Sequence, residues 1–132
     1  MYRFGFRPDG LQFFCFDGYV DCVMVRVGRS SGNTQFYFFD KEWRLLRLNI
    51  KGRDAPENFT LPKPKCIDEM FSLAEKLSKG YPFVRVDLYE SCGRVYFGEM
   101  TFYPQSGFDA NLLPETDIRF GKLIQLPGLE GM

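Results

Sequence analysis

The amino-acid sequence predicts an α+β fold, an antiparallel sheet carrying one main helix, and three observations predict it. Short segments rich in Phe, Val and Tyr alternate in side-chain character and are separated by turn signals. One stretch, residues 68–79, repeats its apolar residues at helical spacing. A second pair of alternating segments, residues 83–89 and 94–102, follows that helix and carries charges on one face. A chain of 132 residues is expected to form a single domain, 1–132, with a core of its own.

The elements follow in order. Residues 1–9 are short, aromatic and basic. Leu11–Phe16, LQFFCF, reads as a strand that turns at Asp17-Gly18, a hairpin signal, and returns as Tyr19–Val27. Residues 28–33, GRSSGN, form a polar loop. It lacks the Walker pattern, so Arg29 and Ser30 are either phosphate contacts or solvated loop residues. Thr34–Phe39 is a third strand and Trp43–Leu48 a short fourth, with Trp43 as a packing anchor. Residues 49–65 read as a linker in which Pro62 and Pro64 forbid a helix interior. The helix is capped near Asp68, places Met70, Phe71, Leu73, Ala74 and Leu77 on one side, and stops at Gly80. The tail carries a short helical turn within residues 118–126.

The hairpin after the helix holds the candidate chemistry. A three-residue loop, Ser91-Cys92-Gly93, with Gly93 left-handed, sets Arg85 opposite Glu99 and Asp87 opposite Phe97. Arg85, Asp87, Glu99 and Thr101 then share a face with Val95 and Phe97, and Asp87 and Glu99 are diagonal neighbours. Two carboxylates so close need a cation, and a hard divalent ion such as Mg²⁺ suits oxygen ligands and phosphate partners. The competing account is an exposed hairpin with an Arg85–Glu99 cross-strand ion pair and a solvated Asp87. Beyond it, Ser106 and Gly107 can present backbone N–H groups to an anion.

Composition narrows the chemistry. Charge is balanced, 17 basic against 17 acidic residues, so nucleic acid is not an expected partner. The chain has no histidine, which removes the commonest general base and leaves carboxylates, Lys/Arg or a metal. Cys15, Cys22, Cys66 and Cys92 match no zinc spacing, and Cys15 reads as a buried thiol. No secretory signal opens the chain and no apolar run reaches membrane-span length, so a cytoplasmic location is expected.

The segments FVRVDLY and YFGEMTFYPQSGF resemble the C-terminal part of the TupA-like ATP-grasp family, proteins of teichuronopeptide and cell-surface polysaccharide biosynthesis. LQFFCFDG, FYFFDKEW and the run from ENFTLPKPK to YPF extend the likeness over roughly Pro8 to Leu126. The resemblance implies the C-terminal subdomain of an ATP-grasp fold, with the N-terminal domain and the glycine-rich-loop subdomain lacking. It implies ATP and Mg²⁺ as cofactors and ATP-dependent carboxylate–amine ligation through an acyl phosphate. Asp87 and Glu99 then fall at the metal-ligand positions, and Thr101 at a third that the wider superfamily fills with Asn. Arg85 matches an arginine that holds phosphate or the intermediate. Ser106 and Gly107 lie where substrate meets the reacting phosphate. Two departures stand out: Gln12 replaces a lysine, and Gln35 and Phe36 replace basic residues. The implied partners are a nucleotide, a small carboxylate or sugar-linked substrate, and a chain supplying the missing lobe. The alternative is a catalytically inactive remnant kept as a binding or structural module.

Overall fold

The computed structural model describes residues 10–28, 34–102 and 112–124. Six strands, β1 (Leu11–Phe16), β2 (Tyr19–Val27), β3 (Gln35–Phe39), β4 (Leu45–Leu46), β5 (Val84–Ser91) and β6 (Arg94–Thr101), form one antiparallel sheet. Their order is β4-β3-β2-β1-β5-β6. The first four make the expected meander, and the late hairpin joins it through β1. Helices α1 (Ile50–Arg53), α2 (Ile67–Ser78) and α3 (Pro114–Leu123) complete the described chain. The expected α+β class with an antiparallel sheet is what forms.

Both faces of the sheet are packed. On one, Leu11, Phe13, Val23, Val25, Val84, Val86 and Leu88 meet Ile67, Met70, Phe71 and Ala74 of α2. Phe13 and Phe71 make an edge-to-face pair with centroids 5.0 Å apart. On the other face Phe14, Phe16, Cys22, Met24 and Phe38 lie under Phe120 of α3, which stacks on Phe14 at 5.3 Å. A strand buried on both faces reads as a continuous apolar run, and this is why LQFFCF carries so few polar residues. Cys15 is buried as expected, and loss of solvation pushes its thiol up to about 12.

Several local expectations are corrected. The strand expected over Trp43–Leu48 shrinks to two residues because Trp43 takes a positive φ of 65°. Its indole stacks on Phe39 at 4.5 Å and donates to the Leu61 carbonyl at 2.8 Å, so Trp43 is the packing anchor expected. The linker holds one helical turn, α1, ahead of its prolines, with the Asn49 side chain accepting from Gly52 N. Helix α2 begins one residue before Asp68. The N-cap, Cys66, makes no side-chain capping bond; instead Glu90 of β5 accepts from Cys66 N at 3.0 Å. That carboxylate sits where the helix dipole favours negative charge. The tail helix runs for ten residues from Pro114, a residue suited to a first helical position.

Helix α3 is tied to the sheet by a bidentate ion pair. Arg119 Nε and Nη2 each donate to an Asp21 carboxylate oxygen at 2.9 Å. The Asp21 side chain is 4% exposed and that of Arg119 39%. Removing the guanidinium leaves a buried, unpaired carboxylate. Arg119→Ala should therefore cost on the order of 2 kcal/mol, below the fully buried-pair range because water reaches Arg119. Urea unfolding checks this, and a midpoint equal to wild type would show that the pair does not hold α3.

Candidate functional site

The site is built by the β5–β6 hairpin. Its turn contains two residues, Cys92 and Gly93, at φ 53° and 78°, the left-handed pair that suits tightly twisted hairpins. Ser91 therefore pairs with Arg94, and Leu88 with Phe97. Gly98 is then an extra residue, a β-bulge, and beyond it Asp87 pairs with Glu99 and Arg85 with Thr101. A Cβ on Gly98 would lie 3.0 Å from the Asp87 carbonyl oxygen, so the close approach that makes the bulge needs glycine.

This register corrects the expected one. Asp87 faces Glu99 directly and not diagonally, and Arg85 faces Thr101 and not Glu99. Arg85, Asp87, Glu99 and Thr101 do share one face. Val95 and Phe97 belong to the opposite face, with Leu88 and Val86, while Tyr96 joins Tyr89 on the charged one, their rings stacked at 5.7 Å.

Arg85 lies between the two carboxylates. Its Nε and Nη2 donate to Asp87 at 3.0 and 3.1 Å, and Nη2 is 3.9 Å from Glu99 Oε2. Asp87 is mostly buried and Glu99 well exposed. Burial pushes the Asp87 carboxyl above the ordinary aspartate value, opposed by Arg85, reinforced by the Glu99 charge and opposed again by a hydrogen bond from Gln12. The carboxylates open onto a cavity of about 280 Å³ lined by Gly10, Gln12, Arg26, Asp87, Tyr89 and Glu99, among others. Asp87 is thus paired to an arginine and also faces an open cavity.

Gln12 and Arg26 are the residues that sequence reasoning did not place here. Gln12 pairs directly with Asp87 across β1 and β5, so Gln12, Asp87 and Glu99 form one row over three strands. Its Oε1 is sealed from solvent and has no hydrogen-bond partner. Leaving such an atom unpaired costs about 1–3 kcal/mol. Arg26 lies over the Phe36 ring at 5.9 Å and brings a second guanidinium to the cavity. The available signal was the lone polar position in LQFFCF. What it meets depends on which strand pairs with β1, and local pattern does not specify that. Ser106, Gly107, Arg29 and Ser30 lie outside the described residues.

A family model described as TupA-like ATPgrasp matches residues 7–125. The chain belongs to the TupA-like ATP-grasp family. No curated protein and no solved structure matches it. Among the described residues no helix is long and apolar enough to cross a membrane. Among them, too, no three carboxylate or thiol groups converge as a metal cluster. Asp87 and Glu99 are two hard oxygen donors face to face, with an unpaired amide oxygen beside them. That donor set fits a cation such as Mg²⁺ better than a soft or nitrogen-preferring metal.

Two outcomes follow. Gly98→Val should cost about 1–3 kcal/mol, because the strand must move off Asp87, and it should abolish any cation binding; calorimetry and urea unfolding report both. The folded pKa of Asp87 lies above its unfolded value, so the native state binds this proton more tightly. Stability from this group is present below the unfolded pKa and is lost as pH rises through the folded one. Asp87→Asn should flatten that part of the stability–pH curve, and an unchanged slope would contradict the burial argument.

Proposed function

We propose that the β5–β6 face is the Mg²⁺- and ATP-binding half of a carboxylate–amine ligase site, on a chain corresponding to the C-terminal part of an ATP-grasp protein. The observation that carries the reading is the Asp87–Glu99 pair, set face to face by the Gly98 bulge on a cavity, in a chain of this family. Asp87 and Glu99 would hold the cation, with the Thr101 hydroxyl on the same face in the next row. When bound, the cation neutralises phosphate charge and orients the γ-phosphoryl group. Arg26 lines the same cavity and Arg85 sits on Asp87 beside it, and both would meet phosphate oxygens; Ser106 and Gly107 would add backbone N–H groups, on the sequence reading of their turn and the family resemblance.

In the ligation itself a substrate carboxylate attacks the γ-phosphorus and ADP leaves. An amine then attacks the acyl carbon and phosphate leaves. Neither step demands an imidazole base, and the chain has none. Charge stabilisation and positioning carry most of phosphoryl transfer. The acceptor would be a small carboxylate or a sugar-linked substrate of cell-surface polysaccharide assembly, and a further lobe would cover the nucleotide, in cis or from a partner chain.

The specific observation favouring the second reading, an inactive binding or structural module, is the bidentate Arg85–Asp87 pair, which already neutralises the buried carboxylate. The test is titration of the protein with ATP, with and without Mg²⁺, beside an Asp87→Asn/Glu99→Gln variant. Metal-dependent binding lost in the variant supports the ligase half-site. Because a proton on Asp87 competes with the cation, that binding should weaken as pH falls through the raised Asp87 pKa. Absence of binding at any pH would leave the structural reading.

A further inference from the structure

We infer that the Gln12 side-chain oxygen is a third protein ligand of the cation held by Asp87 and Glu99. The inference rests on the proposed metal site and goes beyond it by adding a residue from a different strand pair. Gln12, Asp87 and Glu99 are successive cross-strand partners on β1, β5 and β6, so their side chains leave one face of the sheet in one row. All three line the same cavity. Among the described residues two carboxylates converge there and no third acid joins them. A divalent ion of the Mg²⁺ class takes six oxygens, so two carboxylates leave most of its shell to be filled.

Gln12 has the unused capacity to fill one position. Its Oε1 is sealed from solvent and has no hydrogen-bond partner. A buried acceptor without a partner is rare in a folded chain, and a bound ion is one of the few things that accounts for it. The terminal torsion of glutamine is broad and nearly two-fold, so rotation of the amide exchanges its two ends at little cost. With that rotation the Gln12 oxygen would join Asp87 and Glu99 in holding a cation. An amide oxygen is neutral, so it adds a hard donor to the row without a third negative charge.

The test is Mn²⁺ binding, followed by the paramagnetic resonance of free Mn²⁺, with the metal alone and with ATP added. Gln12→Leu is one atom shorter, keeps an apolar side chain in the row and removes the polar end. It should unfold close to the wild-type temperature, because it deletes an unpaired buried oxygen together with the amide beside Asp87. It should also bind Mn²⁺ about tenfold more weakly, and Gln12→Glu should recover or exceed wild-type affinity. Wild-type affinity in Gln12→Leu, with binding still lost in Asp87→Asn/Glu99→Gln, would overturn the role of Gln12 and leave the metal site standing. No Mn²⁺ binding by the wild-type protein in either condition would overturn both.

Discussion

The pairing of β1 with β5 is the constraint on which the rest of this structure depends. Strand β1 is hydrogen-bonded to β2 on one side and to β5 on the other, so it joins the early meander to a hairpin some seventy residues later. Its residues feed both cores: Leu11, Phe13 and Cys15 the layer under α2, Phe14 and Phe16 the layer under α3. The same pairing is what lays Gln12 beside Asp87. The core and the candidate site therefore have one origin. A slip of one residue between these strands would turn every aromatic of β1 to the wrong face.

Around that strand the second face of the sheet is divided. Helix α3 covers one part, with Phe120 over Phe14 and Phe16 and Arg119 clamped to Asp21. The row through Gln12, Asp87 and Glu99, with Arg26 and Tyr89 beside it, lines a cavity instead. A polar strip on the face of an otherwise aromatic sheet is costly unless its groups find partners. Here Arg85 serves Asp87 and approaches Glu99, yet Gln12 Oε1 goes unserved.

Much of this was legible in the sequence, and the failures are physical. Asp17-Gly18 announced the first hairpin, and the spacing of Met70, Phe71 and Ala74 announced α2. The β5–β6 register was missed twice. Cys92 adopts the left-handed conformation, so the turn is one residue shorter than glycine placement suggests, and Gly98 bulges out of the ladder. Each shifts the pairing by one residue in the same direction. Side chains repeat every two residues, so the two slips together restore Glu99 and Thr101 to the expected face. Val95 and Phe97 have passed only one slip and land on the other. Gln12 could not be assigned by pattern at all, since its neighbour comes from a strand distant in sequence, and it read as a lost lysine.

The charge balance of the cavity argues for what kind of ligand would complete it. Asp87 and Glu99 bring two negative charges, and Arg85 and Arg26 bring two positive ones, so these side chains are neutral together. A divalent cation arriving alone would leave them with an excess of positive charge and would have to displace Arg85 from Asp87 without giving the guanidinium another partner. A cation arriving with phosphate oxygens offers Arg85 and Arg26 new acceptors as it takes the carboxylates. The desolvation of each charge is then offset by a new pair and not merely transferred. On the proposed reading metal and anion would enter the site together, each binding better in the presence of the other, and reciprocity of that coupling is required by linkage.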